Sequence, residues 1–237
     1  MKYKVQRGII IAAGFGSRMY PITKETPKPL LDVNGIRFID SIIDKMLQIG
    51  INEIYVVRGY LKEKFDILLD KYPFLHFIDN DLYDKENNIS SAMKVLNLLE
   101  NAYICDADFL IYGNDVFVPY QDESNYLATP VDQTDDWCFD VDQNGNLRNY
   151  RKGGTNCYQA FCIAYFTPQD ARKLKKCLIK MYNDKNNRQK YWEMCVFDNY
   201  KEKFNIKYRH VNSHSIREFD TVDELISVDS KYARYKL

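Results

Sequence analysis

Residues 8–31 read GIIIAAGFGSRMYPITKETPKPLL, and they gather the residue types needed to hold a polyphosphate. A β-branched apolar run ends in Ala12 and Ala13, and a bend follows through Gly14, Phe15, Gly16 and Ser17. Near-continuous apolar runs mark a strand covered on both faces, which delivers the chain to that bend. Backbone N–H groups at such a bend can face phosphate oxygens. Two cations lie at set distances beyond it. Arg18 carries a planar fork of donors suited to phosphate, and Lys28 is held between Pro27 and Pro29. The bend alone is a weak signal, because 14–18 matches neither G-x-G-x-x-G nor a loop ending in G-K-[ST].

Taken in order, the strand, A-A-G-x-G-S-R, Tyr20-Pro21-x-Thr23 and Thr26-Pro27-Lys28-Pro29-Leu30-Leu31 resemble the signature of nucleotidyltransferases that activate phosphorylated small molecules. The resemblance implies that a nucleoside triphosphate is converted to a nucleoside-diphosphate conjugate and pyrophosphate. Attack of a phosphomonoester on the α-phosphorus brings two anions together. The demand is therefore positioning and neutralisation of charge rather than covalent chemistry. On this reading Ala12, Ala13 and the 14–17 bend hold the nucleotide. Arg18 clamps the leaving pyrophosphate, and Lys28 meets the α-phosphate. A phosphate nucleophile is already ionised near neutral pH, so no general base is required.

Chemistry of this kind also wants magnesium on carboxylates. Asp106-Ala107-Asp108 ends an apolar strand, and 217–220 read Arg-Glu-Phe-Asp. The family takes one metal aspartate after a central strand and another late in the chain. Carried over by position, these are Asp108 and Asp220, with Asp106 a supporting neighbour. Asp115, in L-I-Y-G-N-D, is the rival to Asp108, and N-capping of a helix is the plain alternative for Asp220. Asn88 and Ser91, in N-N-I-S-S, fall where the related enzymes contact base and ribose, unless they serve only as caps. Gly59 and Tyr60 close the second strand and belong either to the base pocket or to an ordinary turn.

The acceptor is read from the second half. Trp137 follows two aspartates, Tyr191-Trp192-Glu193 sets two aromatics beside a carboxylate, and Tyr158 lies on the intervening strand. Aromatic faces flanked by acids attract a quaternary ammonium, which cannot donate a hydrogen bond; the plain alternative for each ring is the core. With V-V-R-G-Y-L-K-E-K-F, N-N-x-x-S and D-A-D, this set resembles the bacterial CTP:phosphocholine cytidylyltransferases over nearly the whole chain. The resemblance implies CTP and phosphocholine as substrates, Mg2+ as cofactor, and CDP-choline as product. Phosphoethanolamine, 2-aminoethylphosphonate and sugar 1-phosphates are alternative acceptors. A non-catalytic nucleotide-sensing domain is the rival of a different class.

The elements that must position these residues alternate strand and helix. Strands are expected over 7–13, 53–57, 74–78, 103–112 and 206–211, with helices over 38–49, 61–72, 90–101 and 168–182. The serines at 90 and 91 are expected to cap their helix. Strands and turns fill 126–149, Gly153-Gly154 breaks the chain before another buried strand, and helices lie around 191–200 and at the C-terminus. The pattern predicts an α/β fold, a single Rossmann-like domain over 1–237, with a doubly wound, mixed, mostly parallel sheet flanked by helices. Its nucleotide-binding half covers about 1–120 and its acceptor-binding half about 121–237. The 33 basic and 33 acidic residues cancel, which argues against nucleic acid or a membrane surface as partner. Six cysteines without C-x-x-C spacing, and no apolar leader or membrane-length run, suggest a cytoplasmic protein with reduced thiols. The oligomeric state is not legible.

Overall fold

The computed structural model describes residues 2–236. Its centre is the apolar run of the opening motif, strand β1 (Arg7–Ala12). Strands β2 (Glu53–Arg58), β3 (His76–Asp79) and β4 (Ala102–Asp106) flank it, all parallel, with Ile11 opposite both Val57 and Asp106. β5 (Phe109–Ile111) leaves this sheet. Two long strands, β6 (Asn125–Val141) and β7 (Leu147–Phe166), then extend it, and β8 (Lys207–His210) closes the edge. The order is β8-β6-β7-β4-β1-β2-β3, and within this sheet β7 alone runs antiparallel.

Side chains alternate across a strand, so β1 feeds two cores. Ile10 packs with Ile42, Ile43 and Met46 of helix α1 (Phe38–Gln48). Ile9 and Ile11 face Ile89 and Ala92 of α2 (Ile89–Lys94) and, beyond them, Leu174 and Leu178 of α3 (Pro168–Asn183). Helices on both faces make the sheet doubly wound, as the strand–helix alternation implies.

A third core decides the site. Met19, Ile22 and Leu31 of the loop after β1 close around Phe38, Leu110 and Phe219. Strand β9 (Ile216–Glu218) pairs antiparallel with β5, Glu218 opposite Phe109, and the Phe219 N–H donates to the Asp108 carbonyl at 3.0 Å. The late acidic segment is thereby stitched beside Asp108. Helix α4 (Val222–Ile226) follows, opened by a capping box in which Thr221 and Glu224 satisfy each other's backbone N–H groups.

Several local expectations change. The segment after Leu61 is a 3-10 turn (Lys62–Ile67) and one α turn (Leu68–Lys71) rather than a full helix. The third strand begins at His76, two residues later than its apolar pattern. The serines do not cap α2: Ser90 donates to the Asn87 carbonyl, and both hydroxyls accept from the Asn80 side chain. Gly153-Gly154 is no break but lies inside β7, with Gly154 opposite Thr134. A Cβ on Gly154 would stand 3.1 Å from Cys138 Sγ and 3.2 Å from Cys157 Sγ, so close approach of strands explains that glycine. The expected helix near 191–200 is a single π turn, Cys195–Asn199. All six cysteines are free.

Phe219 is fully buried and stacks on Phe38 with centroids 5.2 Å apart and planes at 14°. Phe219→Ala is expected to cost about 3–5 kcal/mol, read as a lower midpoint in urea, and to loosen the acids on either side of it.

Candidate active site

Gly16 turns the chain out of β1 with φ +62°, a left-handed conformation that favours glycine. A Cβ there would sit 3.0 Å from the Lys28 Cβ, so the bend and the lysine loop are in direct contact. Thr23 Oγ1 donates to the Gly16 carbonyl at 2.8 Å and fixes the bend. Among the described residues, the N–H groups of Gly14, Phe15 and Gly16 meet no protein acceptor and stay available to an anion.

Lys28 is only 8% exposed. Its Nζ lies 3.1 Å from Asp108 Oδ2 and 2.8 Å from Asp220 Oδ1. Burial pulls the ammonium pKa down, but the Asp108 and Asp220 carboxylates outweigh it and hold the pKa above the ordinary value. Arg18 reaches the other Asp220 oxygen at 2.5 Å while most of its side chain stays in solvent. Asp108, Glu218 and Asp220 each offer an oxygen within 4.8 Å of the others. Glu218 is drawn up well above the carboxylate range by burial, then by Asp108, Asp136 and Asp220. Asp136 is raised as well, by burial and by Asp220 and Asp108. A set of crowded carboxylates, partly neutralised by one lysine and one arginine, suits a hard divalent cation.

Glu218 was not singled out from the sequence. Phe219 is buried, and in extended chain residues two apart share a face. The E-F-D pattern therefore carried the signal that Glu218 accompanies Asp220. Asp115 is not in this set. Its carboxylate accepts from the Asn212 N–H at 2.9 Å and from Ser215, which pins the 212–215 turn and lowers its pKa against the cost of burial. Asp106 points elsewhere, to a second cluster with Cys162 and Glu193 whose ligand atoms lie within 4.8 Å of one another.

A cleft of about 580 Å³ opens beside the bend, walled by Ala13 to Arg18, Tyr83, Asn88, Ser91 and Tyr191. It continues into a smaller hollow of about 210 Å³ that brings together Ala12, Lys28, Asp106, Asp108 and Tyr191. Gly59 and Tyr60 do not line it. A Cβ on Gly59 would meet the Tyr83 side chain at 2.7 Å, so this glycine makes room for Tyr83. Tyr60 packs behind Phe15, centroids 4.9 Å apart. Asn88 borders both hollows, yet its Oδ1 accepts from the Trp192 N–H at 2.8 Å and its side chain meets Glu193. It ties the 191–193 segment to the nucleotide side.

The acceptor residues separate. Trp137 stacks on Tyr150 at 4.5 Å and 20°, and stands edge-to-face with Tyr191 at 5.8 Å and 75°. Trp192 is a core residue, 1% exposed against Phe166. Tyr158 packs on Tyr208 and borders a groove with Pro130 and Cys157, away from Trp137. Both stand on apolar positions whose burial is decided by distant elements. Glu193 is 2% exposed, its Oε2 has no hydrogen-bond partner, and burial pushes its carboxyl up to about 7.

Residues 7–141 match the family model for nucleotidyl transferases. The chain belongs to that family. It is 36% identical over 227 residues to the 2-aminoethylphosphonate cytidylyltransferase of Lancefieldella rimae, covering 94% of this chain and 92% of the relative. It is 31% identical over 219 residues to the choline-phosphate cytidylyltransferase of Streptococcus pneumoniae, covering 92% and 94%. The solved CTP:phosphocholine cytidylyltransferase from S. pneumoniae superposes with a TM-score of 0.87 at 29% identity, over 97% of this chain and 99% of that one. The chain is thus an enzyme of the nucleotidyltransferase family, and the relatives named above are cytidylyltransferases. No helix among the described residues is long and apolar enough to cross a membrane.

Lys28→Met is expected to lower kcat by about 10²–10³ in a pyrophosphate-release assay. Asp115→Asn should leave kcat within about threefold and cost about 1 kcal/mol in urea unfolding.

Proposed function

We propose that the enzyme transfers CMP from CTP to a small zwitterion bearing an ammonium and a phosphonate or phosphate, with 2-aminoethylphosphonate as the leading acceptor. The observation that carries this is Glu193. Its unpartnered, buried oxygen lies in a cluster with Asp106, which lines the same hollow as Tyr191 and Lys28. A primary ammonium donates to such an oxygen and removes the penalty of leaving it unpaired. A quaternary ammonium has no N–H to give and relies on ring faces. With Trp192 and Tyr158 elsewhere and one face of Trp137 covered by Tyr150, two aromatic walls remain, Trp137 and Tyr191. Phosphocholine is the second reading, favoured by that pair of walls and by the S. pneumoniae relative.

In this reading the acceptor's phosphonate oxygen attacks the α-phosphorus of CTP in line. The bond to the β,γ-pyrophosphate breaks as the new P–O bond forms, with no covalent enzyme intermediate. The Gly14–Gly16 amides hold the triphosphate tail, and Arg18, already the most exposed cation of the set, swings onto the leaving pyrophosphate. Lys28 is pre-aimed at the place where charge develops on the α-phosphate. Asp108, Glu218 and Asp220 fit Mg2+ by number, spacing and all-oxygen chemistry. The ion would supply positive charge against the triphosphate oxygens.

Screening CTP against 2-aminoethylphosphonate, phosphocholine, phosphoethanolamine and sugar 1-phosphates tests the reading. The expected order places 2-aminoethylphosphonate first by kcat/KM, with turnover lost to chelator. A sugar phosphate in first place would overturn it, and a rate that survives chelation removes the metal assignment. Trp137→Ala should raise the acceptor KM and spare that of CTP. Because Glu193 must be ionised to receive the ammonium, acceptor KM is expected to rise as pH falls from about 8 to about 6. The KM for CTP should change less over that interval.

A further inference from the structure

Asn80 follows β3 at the floor of the nucleotide cleft and is 1% exposed. Its hydrogen bonds leave no freedom in the orientation of the amide. The Leu82 N–H donates to Oδ1 at 3.1 Å, and a backbone N–H can only donate, so the oxygen must face Leu82. The Nδ2 group must then face the serines. It donates to Ser90 Oγ and to Ser91 Oγ, each at 2.9 Å. The Asn80 backbone is fixed too, with its N–H on the Arg58 carbonyl at 2.8 Å.

This fixes the polarity of the two hydroxyls. Ser90 accepts from Asn80 and passes its own proton to the Asn87 carbonyl at 2.8 Å, so it is satisfied within the protein. Ser91 also accepts from Asn80, yet among the described residues its hydroxyl proton meets no acceptor. Ser91 is 2% exposed and lines the cleft. The oxygen keeps a second lone pair, but accepting there would leave the buried proton unpaired, so the hydroxyl is favoured as a donor to the base that arrives.

We infer that Asn80 is a positioning residue for base selection: by donating to Ser91 it makes that hydroxyl a hydrogen-bond donor toward the pyrimidine, which admits cytosine and opposes uracil. Cytosine's unprotonated N3 accepts; O2 accepts in both bases, so the choice acts at N3. Uracil presents an N3–H at the same edge, donor against donor. A site built for one pattern rejects the other because a polar group is left unpaired. The inference rests on the cytidylyl-transfer reading and names the device that would choose the base.

Asn80→Asp tests it directly. The Leu82 N–H keeps an oxygen acceptor, but Ser91 must now give its proton to the aspartate, which leaves its oxygen as an acceptor for an N3–H. Ser91→Ala removes the donor and leaves the Asn80–Ser90 bond in place. The readouts are nucleotide affinity of the free enzyme by titration calorimetry with CTP and UTP, and kcat/KM for each. Wild type is expected to favour CTP over UTP by tenfold or more. In Asn80→Asp that ratio should fall toward one or invert. In Ser91→Ala the affinity for CTP should fall about tenfold and that for UTP change little. A merely structural asparagine would weaken CTP and UTP equally and leave the ratio where it was; that result overturns the inference. If Asn80→Asp fails to give a cooperative unfolding transition, the Ser91→Ala ratio decides alone. Wild type that binds CTP and UTP equally overturns the base-selection device but not nucleotidyl transfer. Wild type that prefers a purine triphosphate fells both.

Discussion

The site is organised by one ammonium group. Lys28 places its Nζ between two carboxylates, Asp108 and Asp220, that stand 80 and 192 residues along the chain. Nearly buried, the lysine would lose its charge without them, and the carboxylates would repel each other and Glu218 without it. Neither side is stable in this form alone. The arrangement persists because the backbone beneath it is determined elsewhere: Gly16 presses on the lysine loop, and the β5–β9 pairing carries Glu218 and Asp220 to Asp108. Phe219, between the two acids in sequence, is the apolar anchor of the segment that carries both.

Such a cluster holds its charges ready for a highly anionic substrate. The cations are close enough to the bend amides to meet a triphosphate, and the carboxylates are crowded enough to accept a divalent ion. The second cluster, Asp106 with Cys162 and Glu193, lies where β4 and β7 pair and is the one the proposed function gives to the acceptor. Asn88 joins the two sides by holding the Trp192 N–H, and Gln189 and Tyr191 come back from the second half to wall the nucleotide cleft. Tyr191 and Asn88 thus line both hollows, an arrangement that would suit the direct transfer proposed above.

Much of the polyphosphate side was legible because its signals are local. Glycine at a left-handed bend, a lysine between prolines and an apolar strand before them lie within 24 consecutive positions, residues 8–31. Their meaning depends on short-range backbone geometry. The acceptor side was less legible. Trp137, Tyr158, Tyr191 and Trp192 are equivalent as letters, yet Tyr191 lines the cleft, Trp137 stands against Tyr191, and the other two pack elsewhere. An aromatic ring is as useful in a core as in a pocket, and only the elements packed against it distinguish the two. Asp115 and Asp108 posed the same problem among acids, and the turn at 212–215 resolved it.

By itself the sequence determined the doubly wound sheet, the strand that leads to the bend, and the placing of Arg18 and Lys28 just beyond it, while Asp108 and Asp220 are what the family resemblance implies. These follow from periodicity and from motifs in which neighbours along the chain are also neighbours in space. The tertiary structure alone decided that Glu218 and Asp220 meet Asp108, that Tyr150 covers a face of Trp137, and that Asn80 donates to the Ser91 hydroxyl. Each of these is a contact between segments that approach only when distant strands pair or distant loops pack. Hydrogen-bond direction and burial are properties of that approach and are not written in any single stretch of residues.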